Sequence, residues 1–237
     1  MKPILLWLAL LLIGFTGGVA VGHYKFFPWS LINGAKNAAS LDAGAESRRQ
    51  ARKAPRLSLF EAFTPEVDIV FLGDSITAAG LWNEFFEGRA IANRGVGSDR
   101  SSDILDRLDG IAALAPARVF LMMGINDITS GRSPAEIMID YQSTVEALMA
   151  AGLDVIIQST IQCTPGMGRC TAVEVDAVNE LNTSLKAYAT ERGIVFVELG
   201  PLSGKQGLPV AFTYDGIHLN GVGYRTWVEA IRPIVSF

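Results

Sequence analysis

A serine hydroxyl becomes an effective nucleophile when a base takes its proton, and near neutral pH the base of choice is histidine. The chain contains two histidines. His23 sits close behind an apolar N-terminal segment, outside the stretch patterned like a folded domain, which leaves His218 as the histidine open to a site. It occurs in YDGIHLNGVGY, three residues after Asp215. A D-x-x-H spacing across one turn lets the carboxylate orient the imidazole and stabilise its charged form. The matching serine is Ser75 in VDIVFLGDSITAAG, where an apolar run breaks at Gly73 and delivers Asp74 and Ser75 to a helix start. Plainer readings stand beside these: Asp74 or Ser75 as a helix cap, and His218 as a cap or surface residue.

Acyl transfer also needs hydrogen-bond donors aimed at the developing oxyanion. Two segments offer them. Asn126, in MGIND after the apolar run RVFLM, carries a side-chain amide. Gly95-Val96-Gly97-Ser98-Asp99 follows a shorter run, and its glycines allow backbone N–H groups to approach a ligand closely. Taken singly, Asn126 reads equally as a cap and Gly95–Gly97 as an ordinary turn.

The elements that must position these residues alternate along the chain. Val67–Leu72 reads as a strand buried on both faces, and Ala90–Asn93 as a short second strand. Ile104, Leu105, Leu108 and Ile111 recur at helical spacing and predict a helix over Ser101–Leu114. Arg118–Met123 is a further buried strand. Ser133-Pro134-Ala135-Glu136 combines an N-cap, a first-turn proline and a capping-box glutamate, starting a helix that runs to about Ala150. Strands at Leu153–Ser159 and Ile194–Leu199 and helices at Val173–Glu191 and Gly221–Val235 complete the pattern. Repeated βα units imply a parallel sheet with helices on both faces, an α/β/α sandwich in three layers.

The chain has 237 residues, with 20 basic against 24 acidic, and no basic stripe interleaved with aromatics, which excludes nucleic acid as an expected partner. Apolar residues concentrate at the N-terminus. Ile4 to Gly22 carries no charge and at helical rise spans about 28 Å, close to the roughly 30 Å hydrocarbon core of a bilayer. Residues 1–22 are therefore expected to be a membrane anchor or export signal, residues 23–56 a flexible tether, and residues 57–237 the folded domain. Lys25, Lys36, Arg48, Arg49, Arg52, Lys53 and Arg56 follow the segment and only Lys2 precedes it, a balance against export by the positive-inside rule. Export, with the domain tethered or secreted on the extracytoplasmic side, is nevertheless the expectation, because N-terminal apolar segments ahead of a soluble domain commonly direct it. Cys163 and Cys170, in a Pro/Gly-rich loop, suit either a disulfide in an oxidising compartment or two separate thiols. Without neighbouring histidines they make a poor zinc site, so no metal is expected.

Together the motifs resemble the SGNH or GDSL-type esterases and lipases. GDSIT matches the first block of that family, NRGVGSD the second, GIND the third and DGIHLNGVGY the fifth, in the family order and spanning about Val67 to Trp227. NRGVGSDRSSDILDRL and FLMMGIND are most similar to the branch holding platelet-activating-factor acetylhydrolase-like and bacterial sugar-ester acetylesterases. The resemblance implies a flavodoxin-like fold with a mainly five-stranded sheet, a cofactor-free ester hydrolase, Ser75 as nucleophile with Asp215 and His218, and Asn126 as oxyanion donor. One position departs from the pattern. Relatives place a glycine directly before the aspartate of the second block, and here Ser98 stands there, its backbone N–H retained as a donor, with Gly95 and Gly97 shaping the loop. The implied substrate is a short acyl ester, such as O-acetyl groups on glycans or small molecules. The alternatives are a lysophospholipase or thioesterase, with Trp82, Phe85 and Phe86 against a longer acyl chain, and a noncatalytic, membrane-anchored glycan-binding module on the same fold.

Overall fold

A computed structural model describes residues 29–168 and 170–235, with only the backbone of 29–43. The chain divides into two compact units, Met1–Arg52 and Lys53–Phe237. The apolar segment Ile4–Gly22 lies outside the described residues. Among the described residues no helix is long and apolar enough to cross a membrane.

Helix α1, Trp29–Ala62, occupies the stretch expected to be a tether from residue 29 onward. Its sequence lacks apolar periodicity but is rich in Ala and Arg, which hold a helix by intrinsic preference. In the first unit, Arg49 and Glu46 pair across one helical turn at 2.6 Å. The second unit begins four residues before the expected Leu57, with Lys53. Lys53 is 2% exposed, and its ammonium pairs with Asp99 at 3.0 Å and Asp103 at 2.8 Å. A lysine buried between two carboxylates belongs to the folded core.

The sheet holds five parallel strands, β1 Ile69–Gly73, β2 Ile91–Gly95, β3 Arg118–Met122, β4 Asp154–Gln158 and β5 Val195–Val197, in the order β2-β1-β3-β4-β5. All five residues of β1 are buried, as the uninterrupted apolar run requires of a central strand. The capping box at Ser133 starts helix α7, Pro134–Ala150, after the short helices α2 (Ser75–Ala78), α3 (Trp82–Phe85), α4 (Ser101–Leu105), α5 (Asp109–Ala112) and α6 (Ile125–Thr129). Helices α8, Ala172–Arg192, and α9, Gly221–Val235, follow. The single helix expected over Ser101–Leu114 is two, α4 and α5. They part at the turn holding Arg107, whose guanidinium reaches Asp99 and the Gly73 carbonyl. Ile104, Leu108 and Ile111 still share the buried side.

Trp82 and Phe86 belong to the core. Trp82 is 1% exposed, stacks on Phe71 with ring centroids 3.9 Å apart and donates its indole N–H to the Thr77 carbonyl. They are therefore closed to a substrate chain. Phe85 lies edge-on to Trp82 and lines a cavity of about 410 Å³ beside α9 that neither Ser75 nor His218 lines.

Candidate active site

The order 2-1-3-4-5 places a topological switch between β1 and β3, the position at which open α/β sheets bind ligands beyond the carboxyl ends of their strands. Register carries this to single residues. Gly73 pairs with Gly95 on one side and with Met122 on the other, so three strands end level. The segments leading to Ser75, Ser98 and Asn126 leave the sheet from that common edge.

The turn after β1 is tightly determined. A Cβ on Gly73 would lie 2.2 Å from Thr77 Oγ1 and 2.5 Å from the Met122 carbonyl, and one on Gly95 would lie 2.2 Å from the Ala78 nitrogen. Both positions require glycine. Asp74 caps α2 by accepting the Ile76 N–H at 2.9 Å. Asn93 donates to the carbonyls of Thr77, Ala78 and Gly80, and Tyr224 donates its hydroxyl to the Ile76 carbonyl, so α2 is held from both sides. Ser75 opens this helix.

His218 Nε2 lies 2.9 Å from Ser75 Oγ, and His218 Nδ1 lies 2.6 Å from Asp215 Oδ2. The Asp215 Oδ1 accepts the backbone N–H groups of Ile217 and His218. Burial works against the Asp215 carboxylate, but the hydrogen bonds from His218 and Ile217 outweigh it and hold its pKa below the usual range. Thr213 locks the same turn. Its Oγ1 donates to the His218 carbonyl at 2.6 Å and accepts the Gly216 N–H at 2.9 Å. Tyr214, 68% exposed, lays its ring nearly parallel to the His218 imidazole with centroids 5.8 Å apart.

The second loop differs from the sequence reading in one respect. Gly97 keeps a negative φ, and nothing stands near the place of its Cβ, so neither sterics nor conformation demands glycine there. The left-handed residue is Ser98, with φ of 64°. That is the conformation a glycine would take at no cost. Asn126 donates its side-chain amide to the carbonyl of Asp99, the residue after Ser98, at 2.9 Å. An amide nitrogen carries two hydrogens, so one of them is left beyond this tie.

Beneath the loops lie three buried carboxylates. Asp99 is held by Lys53 and Arg107. Asp127 accepts the Ser101 N–H and hydroxyl and pairs with Arg132, which also meets Asp140. Asp74 is the third. Its Oδ1 serves the helix cap, while its Oδ2 has no partner among the described residues, and burial pushes its pKa from 3.8 to about 7. Asp99 and Asp127 sit within the GVGSD and GIND motifs, a signal that could have marked them as supports. Thr213 and Lys53 carry no such mark. Among the described residues no cluster of His, Cys, Asp and Glu is built to hold a metal.

A similar fold occurs in a protein from Bacteroides fragilis assigned as an acylhydrolase, 28% identical, with a TM-score of 0.66 over 74% of this chain and 91% of that one. A GDSL-like lipase from Bacteroides thetaiotaomicron is 23% identical, with a TM-score of 0.67 over 78% and 98% of the two chains. A variant of an acetyl-xylooligosaccharide esterase from Geobacillus is 18% identical, with a TM-score of 0.58 over 72% and 94%. No curated protein matches the chain. The family model for GDSL-like lipases and acylhydrolases matches residues 71–226, the stretch from β1 through the His218 turn into α9. The chain is thus a member of the GDSL-like lipase/acylhydrolase family and an ester hydrolase.

Proposed function

We propose that the protein hydrolyses short acyl esters, acetyl esters of glycans above all, through a covalent acyl-enzyme on Ser75. The observation that carries this reading is the hydrogen-bonded row Ser75–His218–Asp215, at 2.9 and 2.6 Å. His218 Nε2 takes the hydroxyl proton as Ser75 Oγ attacks the ester carbonyl, and Asp215 orients the ring and stabilises the imidazolium. The backbone N–H groups of Ser75 and Ser98 and the remaining amide hydrogen of Asn126 receive the oxyanion. His218 then protonates the departing alcohol, and water, activated by the same imidazole, releases the acid.

Three features support a glycan ester over a long acyl chain. The site is open, with the side chains of His218 and Asp215 30% and 40% exposed. The exposed Tyr214 ring presents a flat apolar face beside His218, a surface suited to a sugar ring. Trp82 and Phe86 are sealed in the core. The likeness to an acetyl-xylooligosaccharide esterase points the same way.

Full-length protein assayed on p-nitrophenyl acetate should lose nearly all activity in Ser75→Ala and in His218→Ala; wild-type rates in either variant would refute the mechanism. Acetyl esters should be cleaved faster than octanoyl esters, and the reverse preference would transfer the enzyme to the lysophospholipase or thioesterase class. A fluorophosphonate that left Ser75 unlabelled would point instead to a noncatalytic glycan-binding role. We place the enzyme on the extracytoplasmic side, tethered by Ile4–Gly22 or released from it, a reading that the Cys163–Cys170 disulfide supports. Alkaline phosphatase fused after Phe237 should then be active.

A further inference from the structure

The turn that carries Asp215 and His218 is bonded mainly within itself. Thr213 Oγ1, the Asp215 carboxylate and the Tyr214 N–H all find partners between residues 213 and 218. These bonds fix Asp215 relative to His218. They leave open how the turn as a whole is set against Ser75. Among the described residues, Thr213 is also tied to its chain neighbours, its N–H donating to the Val210 carbonyl and its carbonyl accepting from Asn220 Nδ2, while from distant parts of the fold two hydrogen bonds reach residues 213–218: the one between His218 and Ser75, and one from the Thr164 N–H to the Gly216 carbonyl at 2.7 Å.

Thr164 follows Cys163, and Cys163 is joined to Cys170 by a disulfide. The small ring so closed presses on the turn. Gly216 is buried with φ of 92°, and a Cβ there would lie 2.6 Å from Met167 Cβ, so Met167 packs directly against the backbone next to Asp215. The ring is itself anchored on two sides. Cys163 accepts the Leu208 N–H at 2.9 Å and Thr164 Oγ1 donates to the Leu208 carbonyl at 2.7 Å. Cys170 immediately precedes Thr171, the N-cap of the 21-residue helix α8. The disulfide therefore ties the support of the turn to the start of a long helix.

We infer that the Cys163–Cys170 disulfide is a positioning element for the reaction: through Thr164 and Met167 it holds the Asp215–His218 turn at hydrogen-bond distance from Ser75, and it makes turnover depend on the oxidation state of the two cysteines. The inference rests on the mechanism proposed above. An error of about 1 Å in placing a catalytic group can cost about a hundredfold in rate, so a loosened support is felt in kcat well before the fold is lost.

The test uses full-length protein labelled with ¹⁵N-histidine, p-nitrophenyl acetate as substrate and a water-soluble phosphine as reductant. The disulfide takes up two electrons and two protons to give two thiols, and the phosphine with one water becomes its oxide. Reduction, and independently Cys163→Ala/Cys170→Ala, should lower kcat about tenfold or more with KM changed less than about twofold. The downfield Nδ1 proton resonance of His218, which reports its bond to Asp215, should broaden or disappear while amide signals of the sheet persist. Met167→Ala, with the disulfide intact, should give a smaller loss of the same kind. Full kcat in the reduced protein and the double variant, or a loss that only follows the unfolded fraction, overturns the inference. Ser75→Ala separates the two levels: wild-type activity there removes the mechanism and the inference together, whereas an inactive Ser75→Ala beside a fully active reduced enzyme removes the inference alone.

Discussion

Asn126 donates its side-chain amide to the carbonyl of Asp99 at 2.9 Å, a bond that joins the segment after β3 to the segment after β2 beside the Asp127–Ser101 bonds. One side chain thereby does two things. It fixes the Ser98–Asp99 segment and, in the proposed mechanism, keeps a second hydrogen for the oxyanion. Asn126→Ala removes both, and kcat for acetyl esters should fall by about 10²–10³, the usual cost of losing one such donor. Steady-state kinetics with a check of thermal stability decide it: a change under about threefold in a folded variant would exclude Asn126 from the oxyanion site.

Ser98 tests the other half of that arrangement. Its φ of 64° costs a residue with a Cβ about 1 kcal/mol, while glycine there would give the unfolded chain more freedom to lose. The two effects oppose each other, so Ser98→Gly should leave stability within about 1 kcal/mol and activity within about threefold, because the N–H is unchanged. Ser98→Val should be worse on both measures, since a β-branched side chain is a severe outlier at positive φ. Equal behaviour of the two variants in urea unfolding and ester hydrolysis would mean that the backbone at 98 is not constrained as the structure has it.

The contrast between Ser98 and Gly97 shows where sequence patterning stops. Strands β1, β3 and β4 were legible because burial on both faces leaves uninterrupted apolar runs, and α7 because Ser133, Pro134 and Glu136 each have one evident use at a helix start. Ser75, Asp215 and His218 were legible because the folded part offers a single histidine with a carboxylate three residues before it. Glycine, by contrast, signals freedom without saying which φ is used, and the loop spends its positive φ on Ser98. Lys53 was unreadable for another reason. A buried lysine looks like any surface lysine in the chain, and its partners Asp99 and Asp103 lie far along it.

Lys53 consequently matters to stability in a way its place in the chain conceals. Both its carboxylate partners are largely shielded, and Asp99, 1% exposed at its side chain, already carries a pKa raised by burial against the pull of Arg107 and Lys53. Lys53→Met leaves that carboxyl with Arg107 alone, and breaking a buried pair by removing one partner typically costs about 3–5 kcal/mol. Chemical denaturation should show a loss of this order, and a chain shortened to begin at Leu57 should be destabilised comparably. If both unfold at the wild-type midpoint, the second unit does not extend to Lys53.

Asp74 links stability to pH. Its carboxyl is buried directly before Ser75, near His218, Asp99 and Asp127, and its pKa is raised from 3.8 to about 7, first by desolvation. Between about pH 4 and pH 7 the unfolded chain has released this proton while the folded protein still holds it, so folding takes up a proton and stability from this group declines as pH rises through that window. At about 1.4 kcal/mol per pKa unit the effect amounts to a few kcal/mol. Asp74→Asn keeps an oxygen to accept the Ile76 N–H and removes the ionisation. Its melting temperature should therefore come closest to wild type near pH 4, exceed it increasingly up to about pH 7 and hold a constant lead above that. Parallel curves for the two proteins across that range would show that Asp74 does not titrate there, and the unpartnered Oδ2 would then have to be carrying its charge through the whole window.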